Sequence, residues 1–265
     1  MISLQKINSV KIKPVNIPKV DLDKIKGSDL FEELYCNIFL LAKKKSGKTS
    51  TIYTILKKCT NKMTAVIIFA STINKDHTWI ETIKYLEKKG INVMTFVSLF
   101  ENGQNILEKL LLLLSSPEEQ EEKTPKSIIF DNENNEKESK PKKIAPDYIL
   151  VFDDLSSELK NKFIPVLLKS HRHYKFKCII SSQYFNDLPP DARNQIDYML
   201  LFPNIPMEKL NDTYKELDLS IPLEVFIACY KNSTKQKYNF LYLDVRNDLM
   251  RKNFSHKYCI PNLLE

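Results

Sequence analysis

The sequence predicts an α/β fold: a central, mainly parallel sheet flanked by helices. Three observations predict it. Apolar strand-like runs alternate with helical stretches along most of the chain, the pattern of parallel strands joined by crossover helices. The stretch NIFLLAKKKSGKTS sets a strand, a lysine-rich turn and a helix in direct succession. A second apolar run, YILVFDDL, ends in two adjacent carboxylates.

The chain of 265 residues suffices for one large domain with a small appendage. Residues 36–41 read as the first strand, 48–58 as a helix, and 64–70 as a second strand. A helix over 79–89 is ended by Gly90, and a third strand follows over 91–97. Residues 106–114 are an apolar helical run. Composition then shifts over residues 115–146, which are charged and proline-containing, with one apolar island at 128–130. That is the composition of a solvated insertion rather than a packed element. Order resumes with a strand at 148–152, a helix at 158–169 and a strand at 178–182. After the Pro189-Pro190 turn comes a strand at 196–202, then two short helical segments and a late or edge strand at 238–243. The expected division is an N-terminal extension (1–30), one domain (31–245) carrying the insertion, and a C-terminal tail (246–265). There is no internal repeat.

No apolar run approaches the roughly 20 residues needed to cross a bilayer. The N-terminus lacks a continuous apolar core of the signal-peptide kind, so an address inside the cell is expected rather than secretion. The net charge of +7 has two explanations of equal standing: a polyanionic partner, or the Lys/Asn/Ile-rich, Gly-poor composition of an AT-rich genome. The five cysteines have no metal-ligand spacing, and Cys36 and Cys178 belong to core strands as reduced thiols. His171 and His173 lack partners for a metal site. No Ser/His/Asp or Cys/His nucleophile arrangement is legible.

The chemistry concentrates in three places. Residues 42–49 follow the phosphate-loop pattern G-x-x-x-x-G-K-[ST], with Ala42 in place of the first glycine. Gly47 leaves the backbone N–H groups open to phosphate, Lys48 neutralises the β/γ-phosphates, and the Thr49 hydroxyl ligates Mg²⁺. Ala42, Lys45, Ser46, Gly47, Lys48, Thr49 and Ser50 are thus the candidate contacts for ATP. At the second place, Asp153 is the candidate Mg²⁺ residue and Asp154 the candidate base for the attacking water, because a buried strand ending in acid demands compensation. The alternative for Asp154 or Ser156 is capping of the helix that follows. At the third place, a strand ends in Ser181-Ser182-Gln183, and Gln183 has the reach to bond a γ-phosphate or water. Arg172 and Arg193 read either as solvated basic residues or as fingers for a neighbouring subunit's phosphate.

The succession LLAKKKSGKT, YILVFDDL, LLKSHRHYKFKCIISSQ and LPPDARNQIDYMLLF resembles the poxvirus-type DNA-packaging ATPases of large DNA viruses and virophages, within the FtsK–HerA superfamily. The resemblance spans about residues 31–217. It implies a P-loop NTPase of the ASCE type, in which the acid-bearing and Gln-bearing strands flank the phosphate-loop strand. It also implies an ATP- and Mg²⁺-dependent motor that threads double-stranded DNA into a capsid, working as a homo-oligomeric ring of five or six subunits. Capsid or portal-vertex protein would be its partner, without a membrane, and its place the host cytoplasm, a viral factory or the virion. Carried over residue by residue, Lys48 and Thr49 hold phosphate and Mg²⁺, Asp153 the metal, Asp154 the base and Gln183 the sensor. Arg193, ahead of Arg172, would complete a neighbour's site. Two positions depart from the pattern: Ala42 replaces a glycine, and His171 stands where a glycine often precedes the Arg-His pair.

Two rival functions remain on the sequence alone. One is a small-molecule phosphotransferase of the nucleoside-kinase kind, although no arginine-rich lid is evident. The other is a nucleotide-binding assembly protein without turnover.

Overall fold

The computed structural model describes residues 21–115 and 143–259. The charged insertion therefore lies mostly outside the described residues, as do most of the N-terminal extension and the end of the tail. In chain order the elements are β1 (Asn37–Leu41), α1 (Lys48–Cys59), β2 (Ala65–Ala70), α2 (His77–Lys88), β3 (Asn92–Phe96), the hairpin β4 (Phe100–Glu101) and β5 (Gln104–Asn105), and α3 (Ile106–Ser115). Then come β6 (Tyr148–Asp153), α4 (Phe163–Lys169), β7 (Phe176–Ser182), α5 (Pro190–Arg193), β8 (Tyr198–Leu201), α6 (Met207–Glu216) and α7 (Leu223–Ser233). The strands β9 (Leu241–Asp244), β10 (Leu249–Lys252) and β11 (His256–Lys257) complete the order.

Nine strands form one sheet in the order β11-β10-β9-β8-β1-β7-β6-β2-β3. From β8 to β3 every pairing is parallel; β9, β10 and β11 add an antiparallel flank. Alternation along β1 explains the layering, because successive side chains leave a strand on opposite faces. Ile38 and Leu40 pack with Ile52, Ile55 and Leu56 of α1 and with Trp79 and Leu86 of α2. Phe39 and Leu41 face the other way, onto Ile164 and Leu167 of α4, Leu210 of α6 and Phe226 of α7. With both faces covered, the middles of the central strands are apolar and their buried polar residues, Asn37, Lys177, Asp153, Ser181 and Ser182, lie toward the strand ends.

Four expectations need correction. The helix expected over 158–169 is a single 3-10 turn, Glu158–Lys160, followed by α4. Asn161 turns extended (ψ 135°) and its side chain accepts the Phe163 N–H at 3.0 Å, restarting the helix. Pro165 then falls in the first turn, where a missing N–H is tolerated. The acid-bearing strand does not flank the phosphate-loop strand: β7 lies between β6 and β1, and β8 takes the other side of β1. The late strand begins at Leu241 rather than 238, because Tyr238 sits in the left-handed region at φ 70° and cannot continue a strand. Finally, the expected tail contributes β10 and β11, and Phe254 beyond β10 packs its ring edge-on to Phe31 at 5.7 Å.

The register brings the chemistry to one edge. Leu41 lies opposite Ser182, and Asp153 lies between Ala70 and Ser181. The ends of β1, β7 and β6 therefore converge, as ligand sites do at the carboxyl edge of parallel sheets.

Candidate functional site

The phosphate-loop pattern folds as a turn between β1 and α1. Ala42 continues the sheet by donating its N–H to the Ser182 carbonyl at 3.0 Å. It is buried and is not among the residues with positive φ, so the β-carbon that replaces the first glycine is accommodated without backbone strain. Ser46 closes the turn through its hydroxyl on the Lys43 carbonyl, 2.7 Å away. Two residues of the turn are left-handed, Lys45 at φ 62° and Gly47 at φ 98°. Gly47 is also the N-cap of α1, whose first turn carries Lys48, Thr49 and Ser50. Glycine is needed there on two counts: the backbone angle, and a β-carbon that would stand 2.9 Å from Cδ1 of Tyr238.

Lys48 is buried to 7% exposure and meets both carboxylates, Asp153 Oδ1 at 3.1 Å and Asp154 Oδ1 in a closer contact. Asp153 is held from three sides. Trp79 Nε1–H donates to Oδ2 at 3.0 Å, and the Ser181 hydroxyl and the Lys48 ammonium both reach Oδ1. A carboxylate this buried is costly unless paired and hydrogen-bonded, and here it is both. Asp154 differs: its side chain is 28% exposed, its backbone is left-handed at φ 54°, and its carbonyl accepts the Ser71 hydroxyl at 3.2 Å. Its carboxylate takes Lys48 instead of capping the following turn, whose N-cap is Ser157.

These groups border an open cleft of about 430 Å³, lined by Lys44, Lys45, Gly47, Lys48, Thr49, Ser50 and Asp154, with Asp76, Thr78, Lys237 and Tyr238 on its flanks. Thr49 and Asp153 offer the hard oxygen donors that Mg²⁺ prefers. Among the described residues no group of three or more His, Cys, Asp or Glu is placed to hold a metal ion. A Mg²⁺ bound by one or two protein oxygens plus substrate phosphates fits that composition; an all-protein metal cage does not.

The remaining candidates lie elsewhere. Gln183 lines a separate cleft of about 300 Å³ with Ala42, Lys43, Lys44 and Lys209, and Lys44 borders both clefts. Arg193 is largely covered: it pairs with Glu216 at 2.8 Å and lies over the Phe185 ring at 5.9 Å. Arg172 precedes β7 and so lies at the opposite edge of the sheet, 55% exposed and paired with Glu33 at 3.1 Å. Neither arginine lines the Lys48–Asp154 cleft of its own chain. Sequence reasoning missed Trp79, Lys237 and Tyr238, and it placed Ser181 at the strand end without giving it a role. That Trp79 is the only tryptophan was a signal of a kind, but nothing local ties it to an acid 74 residues away.

No protein-family model matches the chain. Over 125 residues it is 28% identical to the uncharacterized protein 075L of Invertebrate iridescent virus 6, an alignment covering 43% of this chain and 48% of that protein. Over 99 residues it is 26% identical to the uncharacterized protein 015R of Frog virus 3 (isolate Goorha), covering 36% of this chain and 30% of that protein. The matched stretch thus spans less than half the length of either curated relative. Among solved structures, the genome packaging NTPase B204 from Sulfolobus turreted icosahedral virus 2 in complex with AMPPCP matches with a TM-score of 0.53 at 18% identity, over 83% of this chain and 98% of that one. B204, the DNA-packaging ATPase from Sulfolobus Turreted Icosahedral Virus, matches with a TM-score of 0.51 at 16% identity, over 85% and 98%. At such identities the likeness is one of fold, and the fold is that of the P-loop NTPases: a large, mainly parallel sheet flanked by helices. Among the described residues no helix is long and apolar enough to cross a membrane.

Proposed function

We propose that this chain is an ATP-hydrolysing motor that moves double-stranded DNA into a viral capsid. The observation that carries the reading is the meeting of Lys48 with Asp153 and Asp154 at the mouth of the phosphate loop. A lysine from a glycine-bearing turn, confronted by two acids at the end of a nearby parallel strand, is the charge arrangement that ATP hydrolysis needs. The fold shared with B204, a viral genome packaging NTPase, supports the choice of packaging over other uses of the same loop.

In this mechanism the triphosphate takes the place of the carboxylates around Lys48. The ammonium and the N–H groups opening α1 then carry the phosphate charge. Freed of Lys48, the Asp154 carboxylate accepts the proton of the attacking water. Thr49 and Asp153 are the residues that would hold Mg²⁺, which when bound supplies positive charge to the β- and γ-phosphate oxygens. Trp79 and Ser181 keep Asp153 oriented throughout. Gln183, beyond Lys44, orients the water or senses the γ-phosphate after a modest rearrangement of the loop. An arginine from a neighbouring subunit completes the site, and by exposure Arg172 is better placed for this than the covered Arg193. The DNA is gripped by its backbone, since a translocase must ignore sequence, and binding therefore weakens steeply with salt. Capsid or portal-vertex protein is the proposed docking partner.

The test is ATPase activity with and without duplex DNA, measured alongside the mass of the oligomer with and without nucleotide. A DNA-stimulated ring of five or six subunits is expected. A monomer indifferent to DNA would overturn the motor. Stimulation by nucleosides instead would mark a phosphotransferase, and a ring that binds ATP without turnover an assembly protein.

A further inference from the structure

We propose that Tyr238 is the platform on which the base of a bound purine nucleotide stacks, with Lys237 beside it as an added cation along the phosphate path. The inference deepens the nucleotide-site reading above and rests on it. Tyr238 belongs to the turn between α7 and β9, remote in sequence from the phosphate loop, yet its ring lies against Gly47 closely enough that a β-carbon there would stand 2.9 Å from Cδ1. The residue is 54% exposed, so it is not serving the core. Among the described residues it is the one aromatic lining the Lys48–Asp154 cleft, whose lining also includes the polar Asp76 and Thr78. The Lys237 ammonium lies over that ring, 4.8 Å from its centroid, and lines the same cleft, so a stacking base takes the ring's opposite face.

The turn is built to hold this position. Tyr238 adopts φ 70°, a conformation that bulky residues rarely keep without outside support. The support comes from Asn253, in the turn after β10. Its side-chain oxygen accepts the Phe240 N–H at 3.0 Å, its amide donates to Asn239 Oδ1 at 3.1 Å, and its backbone N–H donates to the Phe240 carbonyl at 3.0 Å. Asn239 in turn donates its side-chain amide to Gln236 Oε1 at 3.1 Å. An aromatic face fixed beside a phosphate loop, partly open to solvent and flanked by a cation, matches a nucleotide: flat π-surface for the base and positive charge for the phosphates. Stacking of this kind tolerates any purine, because every base has a π-face. ATP and GTP are therefore expected to bind alike.

The experiment is calorimetric titration of the full chain with non-hydrolysable ATP and GTP analogues and with inorganic tripolyphosphate, on the wild type, Tyr238→Ala and Tyr238→Phe. Thermal unfolding checks that each variant folds. Tyr238→Ala is expected to weaken both nucleotides about tenfold while leaving tripolyphosphate unchanged; Tyr238→Phe is expected to bind like the wild type. Equal nucleotide affinity in Tyr238→Ala would overturn the proposal. So would a tighter affinity, which would make the ring a shield over the loop, or a matching loss for tripolyphosphate, which would make it a brace for the loop's shape. If the wild type binds neither nucleotide nor tripolyphosphate, the nucleotide site itself is refuted and this proposal with it.

Discussion

The two ends of the parallel strands are both polar and buried, and they differ in what satisfies the polar groups. At the amino edge the partners are largely fixed. The Asn37 side chain donates to the carbonyls of Leu168 (3.0 Å) and Gln195 (2.8 Å), and its N–H donates to Asp197 Oδ2 at 2.7 Å. Asp197 also pairs with Arg246, which reaches Glu33 as well. The buried Lys177 ammonium donates to the Glu33 carbonyl at 2.9 Å and to Cys36 Sγ at 3.0 Å, while burial pushes the Cys36 thiol up to about 12. At the carboxyl edge, Lys48 has two side-chain acids for partners, the buried Asp153 and the partly exposed Asp154, and faces an open cleft. Main-chain carbonyls cannot be exchanged for a ligand, whereas a lysine held by carboxylates can pass to phosphate. On the proposed function, the amino edge keeps its partners and the carboxyl edge exchanges them.

The sharpest way to break this contrast is to remove the exchanging acid. Asp154→Asn is expected to keep nucleotide binding and lower turnover by about a hundredfold or more, the usual worth of a general base. Lys48→Ala should weaken binding itself. Steady-state ATPase rates and nucleotide titration check both, and a wild-type rate in Asp154→Asn would remove the assigned base.

Next in size are two substitutions that cost stability at opposite edges. Asp153→Ala strips the Trp79 N–H and the Ser181 hydroxyl of their acceptor and takes one carboxylate from Lys48, a loss of about 3 kcal/mol. Asn37→Ala should cost about 2 kcal/mol through its lost bonds to main-chain carbonyls. Denaturant unfolding measures both. Only the first should also impair Mg²⁺-nucleotide binding, and a comparable defect in Asn37→Ala would mean the edges are coupled. Trp79 supplies a built-in probe, since its indole donates to Asp153 and it is the sole tryptophan: adding Mg²⁺ with nucleotide should shift its fluorescence in the wild type and not in Asp153→Ala.

These contrasts also show why only part of the site was legible beforehand. The loop and the acid pair are contiguous stretches that could be read in place, and the structure brings Lys48 to both acids, whereas Gln183 lines a separate cleft. The Asn161 break was legible too, as an asparagine before a Pro-containing first turn, but the helical apolar spacing across it masked the signal. Trp79 and Ser181 reach Asp153 only because β2, β6 and β7 pair side by side, which no local stretch encodes. Tyr238 was drawn into a strand because YNFLYL is rich in aromatic and apolar residues; its left-handed turn is braced by Asn253, farther along the chain. The strands β10 and β11 carry Arg, Lys and His with little β-propensity of their own, and they form through pairing with β9.

Arg172→Ala tests whether the amino edge serves a neighbour. Within one chain it removes a surface pair with Glu33, worth less than about 1 kcal/mol. If Arg172 completes another subunit's site, turnover in the assembled ring falls while nucleotide affinity holds. An unchanged rate would leave the arginine as a surface charge alone.

The smallest effect expected belongs to Lys45, and it separates charge from backbone at the loop. Lys45 is exposed, lines the cleft and holds φ 62°. Lys45→Ala removes the charge and keeps a β-carbon in the left-handed region; Lys45→Gly removes the charge and relieves the backbone. If the ammonium reaches a phosphate, both variants raise the KM for ATP by a similar factor, at most about fivefold for a solvated ion pair. Lys45→Gly alone should gain stability in unfolding measurements. A KM and a rate unchanged in Lys45→Ala would show that the Lys45 ammonium takes no part in the loop's work beside Lys48.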